Sequence, residues 1–218
     1  MEVCILAVTK AFDEYCIAGM TPDGQWVRPI PATGPSRFWK AQQISAKNNG
    51  FLRPGDVLEF TGQAPNKTQY PNHTEDIHAS NLTLKKRLTN DQLIDFLSDK
   101  HEDEQAFKAT VNAKGRSLCL VKADSFEHYT QTYDDKVRPL MSFTSNSFNI
   151  TNPHTRMGDY IVKDCRWIPH VINGNATGNL DDIYLCIGLA TPWKGVEYPQ
   201  VIGLHTSPGV RILASYPN

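Results

Sequence analysis

The chain of 218 residues has no long hydrophobic run. Nothing in it approaches the ~20 apolar residues that a membrane-crossing helix needs, so no membrane partner is expected. The opening "MEVCILAV" lacks a basic segment, and its apolar run ends at Thr9-Lys10. That run is too short for a secretory leader and reads as the first β-strand of a cytoplasmic protein. Glycine is thinly spread, with neither a G-x-x-x-x-G-K nor a G-x-G-x-x-G stretch. A P-loop or a Rossmann cofactor site is therefore not expected. There is no H-E-x-x-H metal signature and no G-x-S-x-G nucleophile elbow. No C-x-x-C occurs among the five cysteines, Cys4, Cys16, Cys119, Cys165 and Cys186. Their odd number and wide spacing predict reduced, buried thiols rather than a disulfide framework. An excess of either charge is missing too, since the net value is -1. That excludes a polycation that coats nucleic acid indiscriminately, so any such contact must come from a local patch. No cofactor and no metal are expected.

What is present is a succession of short strands separated by turn residues. "VCILAVT" (3–9) and "YCIAGM" (15–20) are strand candidates, and "TPDG" (21–24) turns the chain into "QWVRPI" (25–30). Gly24 is free to take positive φ there. A Pro-Gly turn feeds "DVLEF" (56–60) in the same way. Residues 61–82 are polar and read as loop. One helix is clear: Thr89 caps it, Gln92 completes a capping box, and Leu93, Ile94, Phe96 and Leu97 form its apolar stripe. The acids from Asp99 to Glu104 read as a solvated helix end or loop. Strands resume at "SLCLVKA" (117–123), "DYIVKDCRWIP" (159–169), "IYLCIGLA" (183–190) and "PQVIGLH" (199–205). The pattern is mainly β with minor α, and it favours small barrels over a doubly wound sheet.

The stretch V-R-P occurs twice, at 27–29 and at 137–139. Each copy follows an apolar strand containing Lys-Ala, and each precedes a strand that opens with Gly-Asp, at Gly55-Asp56 and Gly158-Asp159. The common order predicts a degenerate internal duplication. A fold-only explanation pairs Arg28 with Asp56 and Arg138 with Asp159, each pair closing its own barrel.

Acids are absent between V-R-P and Gly-Asp in both halves. Residues 25–55 carry Arg28, Arg37, Lys40, Lys47 and Arg53, with Trp26, Phe38, Trp39 and Phe51. Residues 136–158 carry Lys136, Arg138 and Arg156, with Phe143, Phe148 and His154. Guanidinium and ammonium groups match phosphate oxygens, and aromatic faces stack on bases. The candidate nucleic-acid or nucleotide contacts are therefore Trp26, Arg28, Arg37, Trp39, Lys40, Arg138, Phe143 and Arg156. Phe38 and Trp39 are consecutive and cannot share a face, so one of them belongs to the core.

"CILAVTK", "YCIAGMTPDGQWVRPI", "LRPGDVLEF" and "YPNHTEDIHA", with the closing "YLCIGLATPWKGVEYPQVIGLH", resemble the dual OB-containing domain family of prokaryotic and viral proteins. The resemblance runs from Met1 to about His205. It implies two fused OB-like barrels packed together, with a helix between them. On this division residues 1–84 form the first barrel, 85–114 a helical connector and 115–218 the second barrel. It also implies a nucleic-acid or nucleotide sensing module, in defence or counter-defence settings, with no established catalytic set.

Other clusters offer less. His73, Glu75, Asp76 and His78 are the residue types of a metal or acid–base site, but their spacing completes no three-ligand set. Thr74 capping a short turn, with Glu75 and Asp76 at its positive end, accounts for them more simply. Lys85-Lys86-Arg87 balances Asp91, Asp95 and the acids at 99–104. Trp193-Lys194 lies at a hairpin tip, where the indole is expected to cover a barrel end. Cys165 and His170 face opposite sides if their segment is extended. Three functions follow, in descending order. The first is single-stranded nucleic-acid or nucleotide binding. The second is a protein-interaction or inhibitor module that uses a barrel surface. The third is a nucleotide-directed enzyme that uses His73 and Glu75.

Overall fold

A computed structural model describes residues 1–45 and 50–210; Lys47 lies outside them. The first five strands are β1 (Glu2–Ala11), β2 (Glu14–Met20), β3 (Trp26–Pro31), β4 (Asp56–Gln63) and β5 (Asp76–Arg87). They close into a barrel in the order β1-β2-β3-β5-β4. Helices α1 (Asn90–Ser98) and α2 (Glu104–Val111) lead to β6 (Leu118–Ala123), β7 (Ser125–Tyr133), β8 (Lys136–Thr144) and β9 (Tyr160–Val162). A short helix, α3 (Trp167–Ile172), precedes β10 (Asp182–Leu189) and β11 (Pro199–Ser207). These later strands form one sheet in the order β6-β10-β11-β9-β8-β7.

The second sheet repeats the ring of the first. Its two edge strands, β6 and β7, are separated in sequence by Asp124 alone. Taken as one strand bent at Asp124, they reduce the sheet to five strands in the order 1-4-5-3-2 and back to 1. That is the first ring read in reverse. Each ring has one parallel pair, between its third and fifth strands: β3 with β5, and β9 with β11. The architecture is that of two OB-like barrels.

The repeated V-R-P does not share in this equivalence. Arg28 lies on the third strand of its barrel, whereas Arg138 lies on β8, the second strand of the other. Gly55 precedes a fourth strand and Gly158 a third. The matching order of motifs in sequence is a coincidence, although the doubled architecture is real. The expected arginine pairs fail for the same reason. The parallel register places Arg28 beside Asp76, and these two pair at 2.9 Å. Asp56 stands opposite Arg87 at the far end of β5 and pairs with it instead. Asp159 accepts a hydrogen bond from the Tyr129 hydroxyl at 2.6 Å, and Arg138 stacks on Tyr133.

The continuous apolar runs of β1, β6 and β10 have one cause: these strands are buried on both faces. Val3, Ile5 and Val8 point into the first barrel, while Cys4, Leu6 and Ala7 point towards the second. The register shift between Ile5 and Ala7 is what puts Leu6 and Ala7 together on the outer side. Leu120, Tyr184 and Cys186 meet them from the second barrel. At Gly203 the backbones approach so closely that a Cβ would lie 2.4 Å from the Leu6 carbonyl oxygen. His205 donates to the same carbonyl through Nε2 at 2.9 Å.

Helix α1 carries the expected cap: Thr89 accepts from the Gln92 amide, and Gln92 reaches back to the Thr89 amide. The acids after it are not simply solvated. Asp103 caps α2 through the Ala106 amide, and Glu102 accepts from Trp26 Nε1 and the Leu120 amide, both at 2.9 Å. Lys85 and Arg87 find their acids on β4, at Glu59 and Asp56, rather than on the helix. The segment at 159–169 is strand only to Val162; it then turns, and His170 sits on α3, not on a strand. All five cysteines are free thiols.

Candidate functional site

Between the two barrels lies a cavity of about 380 Å³. On one side it is lined from β1, β2 and β3, and by Arg37, Phe38 and His73. Lys163, Gln200 and the end of β10 line the other side. Among the described residues no Asp or Glu lines it. An OB barrel commonly presents strands 2 and 3, with the loops after strands 1 and 4, to nucleic acid or oligosaccharide. In the first barrel those parts are β2, β3, the Phe12-Asp13 turn and the segment from 64 to 75. The cavity therefore opens on the face this fold most often uses.

A buried polar cluster forms its floor. Arg28 donates from Nη1 to Asp76 at 2.9 Å and from Nη2 to the Ser117 hydroxyl at 2.8 Å. Arg37 donates from Nη2 to the other Asp76 oxygen at 2.6 Å. One carboxylate thus serves two guanidinium groups. His73 Nδ1 lies 2.9 Å from Arg28 Nη1 and 3.0 Å from Arg37 Nη2. Both neighbours only donate, so Nδ1 holds a lone pair and the ring proton is on Nε2. Nε2 faces Glu197 Oε1 at 3.0 Å. Burial, reinforced by Arg28 and Arg37, pushes the His73 pKa down to about 2, and the ring is neutral at physiological pH. Arg37 also stacks on Tyr70, 4.8 Å from the ring centroid. Its remaining terminal nitrogen, Nη1, is buried and has no hydrogen-bond partner among the described residues.

The mouth is aromatic. Phe12 and Asp13 form the two-residue turn between β1 and β2, with φ of 52° and 61°. Positive φ is costly for a bulky side chain. Phe12 is also 85% exposed, although it lines the cavity and lies 6.4 Å from the Phe38 ring. A strained, solvent-facing aromatic at a cavity rim gains nothing for the fold.

The eight residues singled out in the sequence separate into groups. Arg28 and Arg37 meet in the cavity. Trp39 and Phe143 are core residues, one in each barrel, and are sealed from any ligand. Of the adjacent Phe38 and Trp39, it is Phe38 that faces the cavity. Trp26 is tied to Glu102 and fastens the connector. Lys40 and Arg156 are exposed and do not line the cavity. Arg138 lies on β8, next to the cavity wall rather than in it.

His73 and Glu75 do not form an acid–base pair. Both Glu75 oxygens are engaged, by the Ser117 hydroxyl and amide and by the Leu118 amide. Thr74 caps no turn; its hydroxyl donates to the Gly115 carbonyl. In sequence His73 and Asp76 stand out only as a metal or acid–base cluster, and Lys163 and Phe12 not at all; His73, Lys163 and Phe12 line the cavity, while Asp76 lies behind it and holds Arg28 and Arg37. For Phe12 a signal existed, since an aromatic in a two-residue hairpin turn departs from the Asn-Gly type usual there.

The family model of the dual OB-containing domain matches residues 1–204. The chain belongs to the dual OB-containing domain family. The match spans both barrels, the connector between them and every cavity-lining residue. No curated protein matches the sequence. Membership fixes the two-barrel architecture of the family on this chain and leaves the ligand to the chemistry of the cavity.

Proposed function

We propose that the chain binds single-stranded nucleic acid or a nucleotide in the cavity between its barrels. The observation that carries this reading is the cavity lining, which among the described residues holds Lys10, Arg28, Arg37 and Lys163 and no Asp or Glu. Basic groups gathered in one cavity without an acid beside them there favour an anionic ligand. A phosphate oxygen is the anion that suits a guanidinium best. Phe12 and Phe38 at the rim supply faces for a base, a contact worth about 1–3 kcal/mol per base. A volume of about 380 Å³ is within the range of small-ligand sites and suits one nucleotide unit rather than a duplex.

Fluorescence anisotropy with labelled single strands and labelled nucleotides tests the reading. Binding should weaken with added salt, with a shallow slope because few phosphates are engaged. Arg37→Gln should weaken it by tenfold or more. Absence of binding to every probe at low salt would falsify the proposal.

A protein partner is the second reading, favoured by one feature. Trp193 sits at the tip of the β10–β11 hairpin and is 68% exposed, so it does not cover a barrel end as its sequence suggested. Exposed tryptophans are enriched among interface anchors. Capture of one stoichiometric partner that survives nuclease and is lost in Trp193→Ala would favour this reading over the first.

A further inference from the structure

Two like charges stand side by side at the cavity edge. The antiparallel ladder between β8 and β9 pairs Leu140 with Ile161 and Met141 with Tyr160. Continued by two residues, it places Arg138 opposite Lys163. Lys163 also continues the pairing with β11, its amide donating to the Val201 carbonyl at 2.7 Å. Its side chain lines the cavity. Like charges directly opposite one another destabilise a sheet. Among the described residues neither cation has a carboxylate within ion-pair distance. Other basic groups nearby do have one: Arg28 and Arg37 share Asp76, and Lys10 pairs with Asp13.

Arg138 is held from its β7 side. The Arg138 guanidinium lies over the Tyr133 ring, 4.6 Å from its centroid, and Tyr133 is itself 63% exposed. Burial, with Arg138 as the next cause, pulls the Lys163 pKa down. Both effects disfavour the ammonium form, and a bound anion between the two cations relieves the second of them.

We propose that Arg138 and Lys163 form a second phosphate subsite, joined to the cavity, for the next phosphodiester of a single-stranded oligonucleotide. This rests on the reading of the cavity as a nucleotide site. The cavity takes one nucleotide, with Arg37 on its phosphate. The strand then leaves past Lys163 and crosses β8, where the exposed face of Tyr133 is available to the following base. The ligand is accordingly an oligonucleotide that engages both barrels, not a free mononucleotide.

The test measures affinities of the full chain for thymidine 5′-monophosphate and for oligothymidylates of increasing length. Affinity should rise from the mononucleotide to the dinucleotide and a little beyond, then level off. Arg138→Gln should cost the longer oligomers about tenfold, the size expected for one charge-assisted contact, and the mononucleotide much less. It should also reduce the salt slope by about 0.7, the value for one phosphate of a single strand. Arg138→Lys should recover part of the loss. The subsite is overturned if oligomers bind no tighter than the mononucleotide, or if Arg138→Gln weakens both equally. Failure of every probe to bind removes the cavity reading itself, and the subsite with it. Tyr133→Ala removes both a stacking face and the ring on which Arg138 lies, so it should weaken the longer oligomers and leave the mononucleotide unchanged; equal weakening of both would overturn the subsite.

Discussion

Arg28 and Arg37 share a carboxylate and a histidine, yet they do different work. Arg28 is 4% exposed, and its bonds reach Asp76 on β5 and Ser117 just before β6. Removing it leaves a buried acid half-compensated. Arg28→Gln should cost about 3 kcal/mol of stability in denaturant titrations. Arg37→Gln also takes one of Asp76's two partners, so it should cost some stability too, but less than Arg28→Gln because Arg37 makes no bond to Ser117; its main effect should appear in binding. A third residue, His205, reports on pH. Burial, then Arg166, pushes its pKa down to about 3, and its Nε2–H is spent on the Leu6 carbonyl. The unfolded chain takes up a proton near pH 6.5, while the folded one resists until about pH 3. Stability is therefore full above about pH 6.5 and falls as pH drops towards 3, by at most about 1.4 kcal/mol per pH unit for each such histidine. His205→Gln keeps a donor that cannot titrate, so its stability between pH 6 and 4 should fall less steeply than that of the parent. His73 contributes a slope of the same sign, which should remain in that variant.

The β1–β2 hairpin sets local strain against exposure at the level of a single element. Its Phe12-Asp13 turn has positive φ at both central positions, and Phe12 has the wrong side chain for that geometry. Phe12→Asn should raise stability by about 0.5–1 kcal/mol, measured by thermal unfolding, while lowering affinity for single strands. A gain in stability with no loss of binding would remove Phe12 from the proposed site. The strands themselves were largely legible in sequence. Runs such as "CILAV" and "YLCIGL" showed as continuous apolar stretches because β1 and β10 are buried on both sides. The turn at Gly24 and the capping box at Thr89 were legible because they depend only on neighbouring residues. What escaped was pairing between distant strands. Arg28 meets Asp76 through a parallel register that nothing local in either segment encodes. V-R-P drew attention as a repeat, but strand number within a ring is a property of topology, and the two copies sit on different strands. Residues 125–133 alternate in sequence yet are mostly solvent-exposed, so no apolar stripe marked β7.

The two barrels share a core across the whole molecule. Leu6 and Met20 from one barrel pack with Leu120, Tyr184 and Cys186 from the other, and Leu93, Ile94 and Leu97 of α1 join them. One such layer couples the halves, so heat or denaturant should produce a single unfolding transition by every probe. Leu120→Ala should lower it by about 2–5 kcal/mol without splitting it in two. Gly203→Ala should act in the same direction, because the new Cβ would press on the Leu6 carbonyl, where the two barrels meet backbone to backbone. Two separate transitions in the parent protein would show that the shared layer does not couple them.

The bonds of Arg28 also have an order in time. Its partner Asp76 is brought alongside only when β5 pairs with β3, the contact that completes the first ring, and Ser117 arrives only with the start of the second barrel. Long-range pairings of this kind form late, after the local hairpins. A chain released before residue 117 has the aromatic rim and the arginines but not the frame that holds them. The cavity thus has a built-in test of completeness: a truncated or half-made copy lacks the frame that holds the cavity, so the proposed binding surface would exist only in the finished chain.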